Sequence, residues 1–303
     1  MQYNLITVLG PTASGKTKLS ANIASRLGTG VISADSRQVY RGMDIGTGKD
    51  FADYIVGGKL VPYYLIDICS AGEKYNLFEF QKDFFMIFNE LIAKGELPVL
   101  CGGSGLYIEA VLKAYRILSV PLNEILRNEL SFKSGEELIS ILSSLQKLHN
   151  TTDTNTRKRL IRAIEIAKYQ EGHVLKNNVL PEIKSLIIGV AFERSEQKER
   201  ITMRLKERLE NGLIEEVKSL LEKGIASEDL IYYGLEYKYI TQYLTGQYTF
   251  DEMFNHLNIA IHQFSKRQMT WFRKMEREGF PINWIEGTMP LEQKIKSVFD
   301  LLN

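Results

Sequence analysis

Residues 10–17 read Gly10-Pro11-Thr12-Ala13-Ser14-Gly15-Lys16-Thr17, a complete G-x-x-x-x-G-K-[ST] loop. Its glycines let main-chain N–H groups turn inward around phosphate oxygens. Lys16 adds a positive charge, and the Thr17 hydroxyl can ligate Mg²⁺. The apolar run Leu5-Ile6-Thr7-Val8-Leu9 precedes the loop. Leu19, Ile23 and Leu27 follow at four-residue spacing, the stripe of a buried helix face. A helix starting there aims the positive end of its dipole at the same anion. The loop predicts a site for a di- or triphosphate with Mg²⁺ and leaves the reaction open.

Other residues could work beside that loop. Asp35 follows the short apolar stretch Val31-Ile32-Ser33. A carboxylate there can be a general base, an acceptor for water on Mg²⁺, or the N-cap of the next segment. Arg200 and Arg204 open a helix after residues 185–192, and one of them could reach the loop with a bidentate fork. Arg159 and Arg162 share one helix face, with Leu160, Ile164 and Ala167 on another. That face is either solvated or bound to phosphate. Lys266 and Arg273 stand seven residues apart, and Arg267 and Lys274 repeat the spacing one face over. Ile261, Phe264, Trp271 and Met275 line the apolar side. A basic stripe on a core-packed helix suits a nucleic-acid backbone. Tyr232, Tyr233, Tyr237 and Tyr239 cluster near Gly234, either to stack on an unpaired base or to pack a helix. His149, His173, His256 and His262 have no ligand spacing, so no metal site is assigned to them.

The elements that must position these residues alternate. Strands are expected at 3–9, 31–33, 63–68 and 98–101, with helices at 15–27, 78–93 and after Gly105. This is the pattern of a parallel sheet covered on both faces, where ligands sit at the carboxyl ends of strands. Asp35, Asp67 and Ser104 fall at or near such ends. From 118 to 180 no strand is expected, and helices read at 123–132, 136–149 and 155–171. A strand returns at 185–192. The rest reads as helical to the end, broken near Gly224, Gly234, Gly246 and Pro281. The expected fold is α/β, a P-loop NTPase-like parallel sheet with a small helical insertion and a helical C-terminal part. The boundaries are 1–117, 118–182 and 183–303.

Composition narrows the rest. With a net charge of +1, affinity for nucleic acid must come from local patches, not the global field. Cys69 and Cys101 show neither metal nor disulfide spacing, which fits a reducing compartment. No leader precedes the first strand, and no apolar run approaches the ~20 residues that span a bilayer. A cytoplasmic, monomeric protein is expected.

Several blocks together resemble the tRNA dimethylallyltransferases (tRNA isopentenyltransferases). They are residues 10–17, Ala34-Asp35-Ser36, Tyr40-Arg41-Gly42-Met43-Asp44-Ile45-Gly46-Thr47 and Gly102-Gly103-Ser104-Gly105-Leu106-Tyr107. Further down come residues 159–165, 212–217 and Lys266-Arg267-Gln268-Met269-Thr270-Trp271-Phe272-Arg273. The resemblance implies transfer of a dimethylallyl group from its diphosphate to the exocyclic N6 amine of the adenosine just 3′ of the tRNA anticodon. It implies Mg²⁺ as cofactor and the anticodon stem-loop as partner. The phosphate loop (Gly10, Pro11, Thr12, Ala13, Ser14, Gly15, Lys16, Thr17) then holds the diphosphate leaving group. Asp35 accepts the proton of the attacking amine. Arg204 contacts the diphosphate, and the catalytic set is Asp35, Thr12, Lys16 and Arg204. Implied tRNA contacts are Asp35, Ser36, Arg37, Gln38, Ser104, Arg127, Lys158, Arg159, Arg162, Tyr233, Tyr237, Lys238, Lys266, Arg267 and Arg273.

The chain departs from the family pattern in several places. The insertion over 118–155 is shorter than usual. Ser104 stands where threonine is common, Arg37-Gln38 replace apolar residues, Lys158 replaces glutamine, and Glu236 replaces glycine before Tyr237. These departures predict altered tRNA preference before lost activity. The alternatives are a P-loop nucleotide kinase or NTPase and a prenyltransferase acting on free adenine nucleotides. Neither accounts for two spaced basic helices.

Overall fold

A computed structural model describes residues 2–145, 156–172 and 180–302. The chain divides into two units, Met1–Tyr115 with Pro181–Asn303, and Arg116–Leu180.

The first unit is built on β1 (Leu5–Leu9), α1 (Lys16–Leu27) and β2 (Val31–Ser33). A small antiparallel hairpin follows, β3 (Ile55–Val56) with β4 (Lys59–Leu60), then β5 (Tyr63–Tyr64), α2 (Leu77–Ala93), β6 (Val99–Gly102) and α3 (Gly105–Leu112). The second unit holds α4 (Glu124–Ser131), α5 (Gly135–Leu145) and α6 (Arg157–Gly172). The first unit resumes with β7 (Ser185–Ala191), α7 (Arg194–Glu210), α8 (Leu213–Glu222), α9 (Ser227–Tyr232) and α10 (Leu235–Leu244). It ends with α11 (Phe250–Arg277), β8 (Asn283–Glu286) and α12 (Leu291–Leu302).

The sheet runs β5-β2-β6-β1-β7-β8, and every pairing is parallel. The central strand β1 is fully buried, as its run of four apolar residues around Thr7 requires of a sheet covered on both faces, and the Thr7 hydroxyl pairs with that of Ser185. Because all strands point one way, the turns after β1, β2 and β6 open at one edge. Those turns carry the phosphate loop, Asp35 and Ser104. The fold is the P-loop NTPase-like α/β sheet expected from the alternation.

Two expectations are corrected. The strand placed over 63–68 stops at Tyr64, because Leu65 (φ 62°) and Asp67 (φ 56°) enter the left-handed region and leave the ladder. The C-terminal part is not wholly helical. After Pro281 the chain adds β8, which pairs with β7 from Ile188↔Asn283 to Ala191↔Glu286. The helices expected at 136–149 and 155–171 are seen as α5 and α6, and residues 146–155 lie outside the described residues.

Helix starts follow their sequences. Asn76 with Glu79, and Thr249 with Glu252, form reciprocal capping boxes that fix the entries to α2 and α11. A second core, between α7, α8, α10 and α11, includes Leu205, Leu213, Val217, Ile240, Met253 and Leu257. The second unit has its own core of Leu126, Leu130, Leu138, Leu142, Leu160 and Ile164. No described helix is long and apolar enough to cross a membrane.

Candidate functional site

The strand-end edge of the first unit opens into a cleft of about 1230 Å³. Its walls bring together the loop from Thr12 to Thr17, the turn Asp35–Gln38, Ser104, Arg204, Arg267 and Gln268. These residues are scattered over 256 positions and meet because β1, β2 and β6 are neighbours while α7 and α11 cross above them.

The phosphate loop takes its shape from Ala13 (φ 61°) and Gly15 (φ 76°), with α1 starting at Lys16. A left-handed alanine is uncommon and must be held by its surroundings. Three side chains hold this stretch. Gln268 Oε1 accepts the Thr12 N–H at 2.9 Å, Gln197 Nε2 donates to Thr12 O at 2.7 Å, and Arg200 Nε donates to Ala13 O at 3.2 Å. Gln268 Nε2 also donates to Gly103 O at 2.9 Å, so one amide ties the phosphate loop to the β6 turn. The glycines of that turn follow from the close approach of α11. A Cβ on Gly103 would stand 2.4 Å from Gln268 Nε2, and one on Gly105 would stand 2.4 Å from the Trp271 ring.

Gln197 and Gln268 were not among the residues expected to act. Gln268 lies on the buried stripe of α11 with Ile261, Ser265, Phe272 and Met275. An amide at helical spacing within an apolar stripe was the signal that could have marked it.

Charge collects at the loop. Lys16 Nζ points back to Pro11 O at 3.4 Å. Burial pulls its pKa down and Arg204 adds to this, while Cys101, Asp35 and Asp50 oppose it. A lysine so placed gains from any anion that enters. Arg204 Nη1 lies 3.5 Å from Thr12 Oγ1, and its Nη2 donates to Asp50. The helix begins at Arg194, six residues before the expected start, and both mid-helix arginines reach the loop: Arg204 at the threonine hydroxyl, Arg200 at the alanine carbonyl while its guanidinium covers the Phe192 ring.

Asp35 stands at the end of β2, half-buried, and Oδ1 accepts the Arg37 N–H at 2.9 Å. It thus shapes its own turn while lining the cleft. Ser104 Oγ accepts the Ser36 N–H at 3.3 Å, so its hydroxyl locks the β6 turn to the β2 turn. Gln38 receives the Ser33 hydroxyl at 2.9 Å and donates to Gly48 O at 3.0 Å.

The block at 40–47 is held from below. One Glu216 carboxylate accepts the N–H groups of Asp44, Ile45 and Gly46 at 2.8, 2.7 and 3.0 Å, and the Tyr237 hydroxyl at 2.6 Å. Lys49, with its side chain fully buried, donates to Tyr40 O at 2.6 Å and Asp44 Oδ1 at 2.8 Å, and also pairs with Asp67. Asp67, read as a strand-end candidate, is an anchor for this lysine.

The expected tRNA contacts differ in exposure, and Tyr233 and Lys238 also line the cleft. Tyr237 is 1% exposed and Tyr233 2%, so neither offers a face to a base. Tyr233 accepts the Gly72 N–H at 2.6 Å and donates to Glu73 O at 3.1 Å. The neighbouring Tyr232 is 52% exposed, with the Arg37 guanidinium 5.2 Å from its ring centre. Lys238 covers the Tyr239 ring at 5.0 Å. In the second unit Arg127 and Arg162 converge on the nearly buried Glu165, and Arg162 Nη2 also donates to Val120 O at 2.8 Å. Both are committed to the unit's own structure, whereas Lys158 and Arg159 are exposed.

On α11, Lys266, Arg267 and Arg273 are exposed and make no ion pair with a described residue. Lys274 departs from that stripe and pairs with buried Glu109 at 3.1 Å. Phe264, expected on the apolar side, is 39% exposed beneath Arg267.

The family models described as IPP transferase and isopentenyl transferase match residues 38–275 and 3–69. A protein of Phocaeicola vulgatus named tRNA dimethylallyltransferase 2 is 56% identical over 302 residues, which cover 100% of this chain and 98% of that one. The full-length tRNA isopentenylpyrophosphate transferase of Bacillus halodurans superposes with a TM-score of 0.72 at 33% identity, covering 99% of this chain and 95% of that structure. A eukaryotic dimethylallyltransferase acting on tRNA shares the fold, with a TM-score of 0.78 at 18% identity over 99% of this chain and 79% of that one. A phosphate loop, a strand-end aspartate and an α7 arginine meeting in one cleft, in a chain matched along nearly its whole length, belong to a member of the IPP transferase family.

Proposed function

We propose that this chain is a tRNA dimethylallyltransferase. It moves a dimethylallyl group from dimethylallyl diphosphate to the N6 amine of the adenosine 3′ of the anticodon and releases diphosphate. One observation carries the reading: the anion-binding loop and the Asp35 carboxylate share a cleft whose rim helix, α11, presents exposed basic residues with no ion-pair partner among the described residues.

An adenine amine is a poor nucleophile because its lone pair is delocalised into the ring. The rate must come from position, proton removal and stabilisation of the leaving diphosphate. Lys16, Arg204 and the inward N–H groups of the loop take the charge that builds on the departing diphosphate. Asp35 receives the amine proton, and its bond from the Arg37 N–H fixes the orientation of the carboxylate. Base access requires the adenosine to leave its stack, a cost offset by contacts from Lys266, Arg267 and Arg273 to phosphates.

Among the described residues no three His, Cys, Asp or Glu side chains converge as a metal cluster. Mg²⁺ would therefore be held by the Thr17 hydroxyl and the donor's own phosphate oxygens, with water completing the shell. This is the hard-oxygen set that Mg²⁺ prefers. When bound, it neutralises charge on the diphosphate. The enzyme works where its tRNA is processed, in the cytoplasm.

The test is mass spectrometry of nucleosides from tRNA incubated with the protein, dimethylallyl diphosphate and Mg²⁺. The expected product is N6-dimethylallyladenosine at the position 3′ of the anticodon. Product on free AMP and none on tRNA would favour the free-nucleotide reading. ATP consumption without prenyl diphosphate would favour a kinase.

A further inference from the structure

Arg208 is a poorly satisfied charge in the cleft wall. It lies one helical turn beyond Arg204 on α7, and its side chain is only 14% exposed. Its Nη2 is buried and has no hydrogen-bond partner among the described residues. Two carboxylates stand near it, both outside hydrogen-bond reach: Asp50 Oδ1 at 4.0 Å from Nη2, and Glu236 Oε1 at 3.8 Å from Nη1. Burial pulls the Arg208 pKa down and pushes the Glu236 pKa up, so each opposes its own charge, as expected of a pair too far apart to settle one another.

The guanidinium is aimed. A Cβ on Gly48 would stand 2.0 Å from Arg208 Nη2 and 2.9 Å from Arg204 Nη2. The two forks therefore converge over one glycine, where φ is +71° and no side chain intervenes. Arg204 already touches Thr12 of the phosphate loop with its other nitrogen. Two cations this close repel, and the single carboxylate of Asp50 pairs with Arg204 while its other oxygen stands 4.0 Å from Arg208. An unpaired buried donor and a like-charge pair around one carboxylate are both costly in a protein without an anion to bind.

We infer that Arg208 is a second guanidinium of the diphosphate site, so that Arg204 and Arg208 together grip the phosphoryl group on the α7 side of the phosphate loop. This rests on the proposed function and adds to it a specificity for diphosphates over monophosphates. A single phosphoryl group seated on the loop's N–H groups and Lys16 does not need the α7 pair, whereas two linked phosphoryl groups do.

The test is calorimetric titration of inorganic pyrophosphate and inorganic phosphate, each with Mg²⁺, into the full chain and into R208M, R208K and R208M/E236Q. The double variant removes the carboxylate that R208M alone would leave buried and unpaired. Melting temperature and tRNA affinity are measured alongside. Pyrophosphate affinity is expected to fall about tenfold in R208M and in the double variant, the scale of one charge-assisted hydrogen bond. R208K should recover part of it, and phosphate and tRNA affinities should change less than about twofold. Unchanged pyrophosphate affinity in the folded double variant would overturn the inference and leave Arg208 a structural partner of Glu236. An equal loss for phosphate and pyrophosphate would overturn the diphosphate specificity. A loss confined to tRNA would move Arg208 to the RNA path. The parent chain separates the two ideas: if it binds pyrophosphate through Arg208 yet makes no prenylated tRNA, the function fails and the site stands.

Discussion

The side-chain carbonyl of Gln268 accepts the main-chain N–H of Thr12 at 2.9 Å, which joins the basic helix α11 to the phosphate loop through one amide. The other end of that amide holds Gly103 O. Both bonds are part-buried or buried, so their removal leaves polar groups without water.

Gln268→Leu should therefore cost about 2–6 kcal/mol of stability, from two main-chain groups left unpaired at about 1–3 kcal/mol each. Affinity for pyrophosphate should fall with it, because Thr12 and left-handed Ala13 lose a restraint. Thermal melts and pyrophosphate titration check this. A stable variant with native pyrophosphate affinity would show that Gln197 and Arg200 hold the loop unaided.

Asp35→Asn keeps the side-chain shape and its acceptor for the Arg37 N–H but loses the base. Turnover on tRNA should fall by roughly 10²–10⁴, the span of a general base, with pyrophosphate affinity unchanged. Single-turnover assays at saturating tRNA measure it. Near-native turnover would leave Asp35 only the turn it already makes.

Lys266→Ala with Arg273→Ala removes two exposed cations that have no described ion-pair partner. The log–log slope of tRNA affinity against salt should flatten by about 0.7–0.9 for each phosphate that is no longer neutralised, and donor binding should not change. Binding measured across a salt series decides it. An unchanged slope and affinity would take α11 off the RNA surface.

Glu109 gives an acid signature. Burial raises its pKa, but hydrogen bonds from Lys113, Tyr115 and Lys274 outweigh this and lower it from 4.5 to about 2. A carboxyl whose folded pKa lies below its unfolded one stabilises above the unfolded value and loses that contribution as pH falls toward the folded one. Stability should drop between about pH 4.5 and 2. Glu109→Gln should be less stable at pH 7 and should lose that part of the acid dependence. Denaturant melts across this range test it, and identical pH profiles for the two proteins would refute it.

How much was legible varied with distance along the chain. Residues 10–17 are contiguous and follow a five-residue run that is apolar except for Thr7, so the loop and β1 could be read directly. Strand β8 could not. Of Asn283-Trp284-Ile285-Glu286 only Ile285 is buried, and four residues with one inward side chain make no periodic signal. Tyr237 looked like a base platform because tyrosines and lysines interleave around it. Its partner Glu216 is 21 positions away on another helix, and only folding shows that the hydroxyl is taken. For Arg127 and Arg162 too, only folding shows a shared partner, since their carboxylate, Glu165, sits on the inward side of α6. The exposed cations of α11 were legible because their spacing places them opposite the apolar stripe.

The pairing of β1 with β7 has a consequence during synthesis. Leu5 meets Ser185 across the ladder, so the strand that feeds the phosphate loop has β6 on one side but lacks its second neighbour until 180 residues after Leu5 have been made, roughly 10–40 s at ribosomal speed. The loop's restraints come later still, from Gln197 and then Gln268. A nascent chain halted before α11 would carry the complete phosphate-loop motif with only part of its scaffold. The anion pocket is among the last parts of the molecule to be assembled, so an abandoned polypeptide would be a poor competitor for prenyl diphosphate.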